Sequence, residues 1–207
     1  IYKIRDNGAT ATQIWGNNFS FSGGNTFQTN RGASPALSND ESVLYLGDGN
    51  GNVAALNTAL GTDNWGGSAQ VSGDIRGHFA VGANDNVYFL EQRGSFFSPQ
   101  SDRIHAFRDN GASATALGSF SIGGSDLTRN SPVVNANNQV VIAARGGRVF
   151  ALDGTNPASW GNSTNLNGVQ WQANMGSTSQ STPALDSSGN IVYIGDDQGR
   201  VFAYEDP

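Results

Sequence analysis

The sequence contains no cysteine and little positive charge. Its 207 residues include 17 acidic and 11 basic side chains, for a formal net charge of −6 and a pI of about 4.6. Without cysteine the chain cannot hold a disulfide framework, a zinc–thiolate site, an iron–sulfur cluster or a cysteine nucleophile. Without a basic stripe it lacks the charge that a phosphate backbone requires, so we expect no nucleic-acid partner.

Long apolar runs are also missing. No segment approaches the roughly 20 apolar residues of a membrane-spanning helix, and the first ten residues, IYKIRDNGAT, show no signal-peptide pattern. Lys3 is the single lysine, and glycine, asparagine, serine and threonine are frequent. This bias is typical of turn-rich β structure and favours an extracytoplasmic location in a bacterium, in the periplasm, at the cell surface or secreted.

An internal repeat organises the chain. A small residue followed by proline or an apolar residue and two apolar positions recurs at residues 34–37, 78–81, 131–134 and 182–185. After a polar turn cluster, each is followed by a β-branched and aromatic run of the kind buried on both faces, at residues 43–46, 87–90, 140–143 and 191–194. A third run recurs five times, at residues 1–4, 53–56, 104–107, 149–152 and 201–204, at intervals of 52, 51, 45 and 52 residues.

This repeat predicts an all-β fold, a β-propeller of four-stranded antiparallel blades with a period of about 50 residues. We assign residues 1–207 to one propeller domain or propeller fragment, with blade-like repeats at about 33–65, 78–120, 131–171 and 182–204 plus 1–15. Weaker fourth strands are expected to end near Trp15, Trp65, Phe120 and Trp171. Five third strands against four of every other kind predict either a larger ring, self-association or completion by another subunit.

The segment YLGDGNGNVAALN at residues 45–57, followed by Gly61 and Trp65, resembles the tryptophan-docking repeat of quinoprotein-type, or PQQ-like, β-propellers. Residues 149–153 with Trp160 follow that pattern in part, and residues 193–204 give its first half. The unit at residues 104–107 departs from it, with Phe120 in place of tryptophan. WD-repeat and kelch propellers are the competing families. In quinoprotein-type propellers the tryptophan packs between blades, so the resemblance implies structural blade-packing roles for Trp15, Trp65 and Trp171.

Enzymes of this family are quinone-dependent dehydrogenases that hold calcium and PQQ on the propeller axis beside a catalytic carboxylate. No aspartate or glutamate of this chain aligns with that motif, so we assign no catalytic residue and expect no cofactor. Non-catalytic relatives include a propeller lipoprotein of outer-membrane assembly, and the resemblance implies a non-catalytic binding or scaffolding module. A fragment of a PQQ-dependent dehydrogenase and a structural subunit of a surface assembly stay as alternatives.

Two sets of residues imitate metal-binding or catalytic patterns. Asp48, Asn50 and Asn52 have the spacing that begins a calcium loop, but the twelfth position is Ala59 instead of a bidentate carboxylate. We interpret this segment as a hairpin turn and expect no calcium there. His78 and His105 stand in different repeats without a carboxylate at a readable spacing, so we interpret both as structural or surface residues.

One insertion has the composition of an interaction site. Residues 91–103 lengthen a hairpin and place Phe96 and Phe97 between Arg93 and Arg103. Aromatic residues with arginine are enriched in interaction hot spots, and binding residues concentrate on loops; a loop folded over its own blade is the alternative. Trp160 is out of phase with the repeat, which favours an exposed ring that could stack on a sugar. We therefore expect a protein or glycan partner at these five side chains.

Overall fold

The chain builds a series of antiparallel β-sheets in sequence order. A computed structural model describes residues 1–16, 33–67, 69–95, 98–123 and 130–205, and the side chains of residues 94–99 lie outside that description. Sheet I contains β1 (Tyr2–Asp6) and β2 (Ala11–Gly16), and sheet II contains β3 (Ala36–Leu37), β4 (Val43–Gly47), β5 (Asn52–Asn57) and β6 (Ala69–Gln70). Sheet III contains β7 (Asp74–Val81), β8 (Asn86–Gln92), β11 (Arg103–Asp109) and β12 (Ala114–Ser121). Sheet IV contains β13 (Val133–Val134), β14 (Gln139–Ala143), β15 (Arg148–Asp153) and β16 (Val169–Asn174), and sheet V contains β17 (Ala184–Leu185), β18 (Ile191–Gly195) and β19 (Val201–Glu205).

The strand order confirms the predicted four-stranded antiparallel sheets. In sheets II, III and IV each strand pairs with the next one of its sheet along the chain. Sheet III contains the long insertion, within which β9 (Gly94–Ser95) and β10 (Ser98–Pro99) pair separately. Sheet I has two strands and sheet V has three, and among the described residues no strand of sheet I pairs with a strand of sheet V.

Turn chemistry fixes the first hairpin of each repeat. Glu41, Asp85 and Asn138 stand one or two residues before the second strand of their sheets and have φ values of 60°, 57° and 57°. Gly189 takes the same place in sheet V with a φ of 74°. A left-handed backbone at this position closes a tight turn, which explains why polar or glycine residues recur there.

Neighbouring sheets bury their facing surfaces against each other. The second and third strands alternate side chains toward the sheet before and the sheet after, so they are apolar on both faces. The cluster between sheets II and III includes Tyr45, Val53, Phe89 and Phe107. The cluster between sheets III and IV includes Tyr88, Phe120, Phe150 and Leu152. The cluster between sheets IV and V includes Val141, Val149, Val192 and Ile194.

The residue that opens each repeat joins one sheet to the next. Ser34 donates its N–H to the Gly77 carbonyl at 2.7 Å, and the N–H of His78 is donated to Ser131 Oγ at 2.6 Å. The N–H of Ser131 is donated in turn to Thr182 Oγ1 at 3.1 Å. At Ser131 and Thr182 the hydroxyl oxygen accepts a backbone N–H of the preceding repeat, whereas Ser34 is joined through its backbone.

A partly buried carboxylate ties sheet II to sheet III. Asp109, at the end of β11, accepts hydrogen bonds from the Tyr45 hydroxyl at 2.8 Å and from Trp65 Nε1 at 2.9 Å. Burial and this carboxylate both raise the pKa of Tyr45, which keeps the phenol protonated as the donor. Two aromatic side chains of one sheet thus converge on a single acceptor of the next.

Two local details differ from the sequence-based expectation. The fourth strand of sheet II, expected to end near Trp65, is β6 at Ala69–Gln70, because residues 64–67 form turns that place the indole beside Tyr45. The loop after β15 contains a 3-10 turn, Pro157–Ser159. Within the described ranges, no helix is long and apolar enough to cross a membrane.

We expect Asp109→Ala to lower the free energy of unfolding by about 2–4 kcal/mol, because it leaves two nearly buried donors without an acceptor. Urea unfolding of dilute protein measures the loss. Asp6→Ala is a matched control, since Asp6 makes the same turn contact to Gly8 that Asp109 makes to Gly111. Equal losses in the two variants would contradict a cross-sheet role for Asp109.

Candidate functional site

The most chemically distinctive cleft lies beside the long insertion, between sheets II and III. It has a volume of about 400 Å³ and is lined by residues 70–72, by one face of β8 and β11, and by residues 116–119 of β12. We call it the insertion cleft. The lining side chains that carry charge or a titratable ring are Glu91, Arg103 and His105.

Strand register brings Glu91 and His105 together. Glu91 is the penultimate residue of β8 and pairs with Arg103, while His105 lies two residues further along β11 on the same face. His105 Nε2 lies 2.7 Å from Glu91 Oε2, and the second carboxylate oxygen accepts the Gly73 N–H at 2.6 Å. Both carboxylate oxygens are therefore engaged.

The surroundings of Glu91 keep it ionised. Burial alone would raise the pKa of this carboxyl group, which is only 2% exposed. The hydrogen bond and charge of His105, the Arg93 guanidinium 3.6 Å away and the Gly73 N–H outweigh burial and lower the pKa below its ordinary 4.5. The cleft therefore contains a fixed negative charge next to an imidazole.

Aromatic rings hold the imidazole in place. The His105 ring stacks on Phe89 at 5.4 Å between centroids, and Phe107 meets Phe89 edge-on at 5.2 Å. Phe89 and Phe107 belong to the buried cluster between sheets II and III. The sequence predicts a structural or surface role for His105; in the structure its ring is packed against Phe89 and also lines the cleft.

The two arginines of the predicted site have different surroundings. The Arg93 guanidinium faces Glu91, and the backbone N–H of Arg93 donates to Asp102 Oδ1 at 2.8 Å. Asp102 is fully buried, and its carbonyl accepts the Ile122 N–H at 3.0 Å, which fixes the base of the insertion. Arg103 lines the cleft, and within the described part of the chain its guanidinium has no acidic partner in salt-bridge range. Phe96 and Phe97 lie outside the described residues.

Trp160 corrects the expectation of an exposed binding aromatic. Its ring is only 8% exposed and lies 6.0 Å from the Tyr88 ring, in the cluster between sheets III and IV. Its Nε1 donates to the Asp153 carbonyl at 2.8 Å. The 3-10 turn before Trp160 directs its indole into the interface between sheets III and IV. The position of Trp160 outside the repeat pattern therefore does not make its ring exposed. The ring offers no open face on which a sugar could stack.

The other tryptophans also lie at sheet interfaces. Trp15 donates through Nε1 to the Thr58 carbonyl of sheet II at 2.9 Å. Trp171 of sheet IV lies 5.8 Å from the Tyr204 ring of sheet V. Trp65 reaches Asp109 as described above. Each ring therefore touches a neighbouring sheet.

In the calcium-like segment, the Asp48 carboxylate accepts hydrogen bonds from residues of its own turn. Asp48 Oδ1 accepts the N–H groups of Asn50 and Asn52 at 2.9 and 2.8 Å, and Oδ2 accepts Asn52 Nδ2 at 2.9 Å. Such contacts direct the carboxylate into its own hairpin. Among the described residues, no group of three or more His, Cys, Asp or Glu side chains could hold a metal ion.

Sequence reasoning found the insertion but missed the Glu91–His105 pair at its base. The two residues are separated by the insertion itself, so their spacing along the chain carries no signal. The alignment of β8 with β11 could have found them, because Glu91 opposes Arg103 and His105 opposes Phe89.

Comparisons with known proteins show the fold. The crystal structure of BamB from Moraxella catarrhalis superposes with a TM-score of 0.62 at 16% identity, over 84% of this chain and 46% of that chain. A crystal structure of a mitotic checkpoint complex contains a chain that superposes with a TM-score of 0.66 at 13% identity, over 95% of this chain and 51% of that chain. No protein-family model and no curated protein matches the sequence.

The fold is therefore that of a β-propeller, with all-β architecture and several four-stranded antiparallel sheets. At these identities the likeness extends to the fold alone. The chain spans about half the length of the solved chains that it matches.

Acid should weaken the fold partly through Glu91. Because its folded pKa lies below the ordinary value, its stabilising effect is present above pH 4.5 and is lost as pH falls through the lowered pKa. We expect Glu91→Gln to be less stable than wild type at pH 7 and to lose less stability between pH 5 and pH 3. Thermal unfolding across this range measures both. Parallel curves for the two proteins would contradict this role.

Proposed function

We propose that this chain is a non-catalytic β-propeller module that binds a protein or glycan partner at the insertion cleft and its loop. The observation that carries the proposal is the cleft itself, where the second hairpin of sheet III, longer than those of sheets II, IV and V, adjoins a fixed Glu91–His105 pair and an available Arg103. Functional loops are commonly those that exceed what a scaffold needs. The rigid sheets would present this surface without moving.

The resemblance of residues 45–65 to PQQ-like repeats supports the proposal that this chain belongs to the quinoprotein-type propellers. We propose in addition that it acts outside the cytoplasm of a bacterium. Low charge, a single lysine and the absence of cysteine agree with that location. The role is binding or scaffolding in a larger assembly. Both structural neighbours have the same fold, which hosts many unrelated functions, so the argument depends on the cleft.

The geometry of the cleft favours binding over catalysis. A serine nucleophile would need an imidazole nitrogen within hydrogen-bond reach. His105 Nε2 is engaged by Glu91, and within the described part of the chain neither Ser72 nor Ser119 of the cleft is hydrogen-bonded to the ring. The pair therefore supplies fixed charge and shape for recognition.

A loop-directed experiment tests the proposed site. We expect Phe96→Ala/Phe97→Ala, and separately Arg103→Ala, to weaken partner retention at least tenfold, because hot-spot aromatic and arginine side chains carry much of the binding energy. Immobilised protein is probed with a glycan array and with the extracytoplasmic fraction of a bacterium that encodes it. Arg108→Ala is the matched control, since Arg108 lies exposed near the other end of β11. Equal retention by all variants would refute the site.

A cofactor experiment tests the non-catalytic proposal. We expect PQQ and calcium, added together at millimolar calcium, to leave the melting temperature unchanged, because a ligand stabilises a protein only by binding its folded state. Differential scanning calorimetry measures the shift. A concentration-dependent rise that Asp48→Asn removes would show a calcium site at that turn, and a rise that requires PQQ would favour the dehydrogenase alternative.

A further inference from the structure

Asparagine is followed directly by glycine at four places, residues 7–8, 50–51, 110–111 and 167–168. Each pair lies between two strands of a hairpin. Because glycine has no side chain, its backbone nitrogen can approach the side-chain amide of the asparagine before it. The four pairs therefore share the same intrinsic reactivity, and their hydrogen bonds decide which of them reacts in the folded protein.

The reaction open to such a pair is spontaneous deamidation by water. The glycine N–H gives its proton to water, and the nitrogen forms a bond to the asparagine Cγ. The side-chain nitrogen takes up a proton and leaves as ammonia, so that a succinimide ring remains. One water molecule then breaks one of the two C–N bonds to the ring carbonyls and gives either aspartate or isoaspartate. No oxidant, reductant or enzyme takes part.

An aspartate restrains two of the pairs. The N–H of Gly8 donates to Asp6 Oδ1 at 2.8 Å, and the N–H of Gly111 donates to Asp109 Oδ1 at 2.7 Å. A carboxylate in this position keeps the proton on the nitrogen, because its negative charge disfavours the amide anion. The asparagine before each glycine is held as well, since its Nδ2 donates to a threonine hydroxyl at 2.8 Å in both turns.

The pair at residues 50–51 is restrained by its neighbours. The N–H of Gly51 donates to the Asp48 carbonyl at 3.2 Å, and the N–H of Asn50 donates to the Asp48 carboxylate at 2.9 Å. Gly51 is buried, and a Cβ at this position would clash with the Val71 carbonyl oxygen. The backbone there has little room to bring the glycine nitrogen to the side chain.

The pair at residues 167–168 has neither kind of restraint. Asn167 is exposed, and within the described part of the chain its side-chain amide has no hydrogen-bond partner and the Gly168 N–H has no acceptor. Gly168 has a φ of 74°, and a Cβ there would lie 2.6 Å from Trp160 Cδ1, so the position requires glycine. The fold thus keeps a reactive pair at this turn without protecting it.

Both residues of this turn hold the loop that contains Trp160. The Gly161 N–H donates to the Asn167 carbonyl at 2.9 Å, and the Asp153 N–H donates to the Gly168 carbonyl at 2.7 Å. Trp160 lies between these contacts in the cluster shared by sheets III and IV. Isoaspartate leads the main chain through the former side chain and lengthens it by one carbon, so the two carbonyl groups cannot both keep their places.

We infer that Asn167 is the position at which this protein deamidates in its folded state, with water as the reactant, and that the isoaspartate product weakens the interface between sheets III and IV. Asn7, Asn50 and Asn110 react much more slowly over the same period. Neither Asn167 nor Gly168 lines the insertion cleft, so the inference goes beyond the proposed binding function and is independent of it.

Peptide mapping of aged protein is the first test. The full chain is kept in mildly alkaline buffer at body temperature, and mass spectrometry follows the replacement of amide by acid at each position. We expect Asn167 to react at least about tenfold faster than Asn7 or Asn110, because each of those turns must first lose a hydrogen bond to a charged group. In protein unfolded by urea the four rates should converge.

Asp6→Ala tests the cause of the protection. This change removes the acceptor of the Gly8 N–H, so we expect deamidation at Asn7 to become several times faster. The rate at Asn110 is the matched control within the same molecule, since its turn keeps its own aspartate. Equal rates at Asn7 in the variant and in wild type would contradict protection by the carboxylate.

Asn167→Asp separates the new charge from the altered backbone. It has the charge of the product but a normal main chain, so we expect its melting temperature to stay near that of fresh wild type. Aged wild type that contains isoaspartate at this position should melt at a lower temperature. Asn167→Ser should resist the loss during ageing. An unchanged melting temperature in fully reacted protein would contradict a weakened sheet interface.

Two results would overturn the inference. One is a rate at Asn7 or Asn110 equal to that at Asn167 in the folded protein. The other is the same ratio of rates in folded and in urea-unfolded protein, since local sequence alone would then set it. Failure of the insertion cleft to retain a partner would alter none of these rates.

Discussion

The whole structure depends on packing of one sheet face against the next. A single two- to four-stranded sheet with apolar side chains on both faces cannot bury itself, so each repeat is stable only between neighbours. The second and third strands of the middle sheets meet this condition with fully buried side chains such as Phe89 and Phe150. Hydrogen bonds across the interfaces, above all those to Asp109, then fix the relative position of sheets that apolar contact alone would hold loosely.

This dependence explains which parts of the fold the sequence predicts well. The second and third strands carry long β-branched and aromatic runs because both of their faces are buried. Since these runs recur in every repeat, the sequence predicts both strands. The fourth strand of sheet II is short and polar, and Trp65, which anticipated it, belongs to the turn before it. Trp160 shows the same limit, because phase in a repeat says where a residue stands along the chain and not what covers its ring.

The candidate site was predictable only in outline. Composition marked the insertion between Arg93 and Arg103, since no other second hairpin is as long. The charged pair beneath it depends on the register between β8 and β11, which is a property of the folded sheet. The pair also serves packing, because His105 stacks on a core phenylalanine while its ring nitrogen holds Glu91. One residue thus links the stability of a sheet to the chemistry of its surface.

Asp102 gives the insertion a property that matters for engineering. Its buried carboxylate and carbonyl close the base of the excursion through Arg93 and Ile122, so both ends are pinned to the sheet by groups outside the tip. The segment between them is therefore a loop whose two ends are fixed to sheet III. Both strands that flank the insertion, β8 and β11, therefore keep their register at its base through Asp102 and not through residues of its tip.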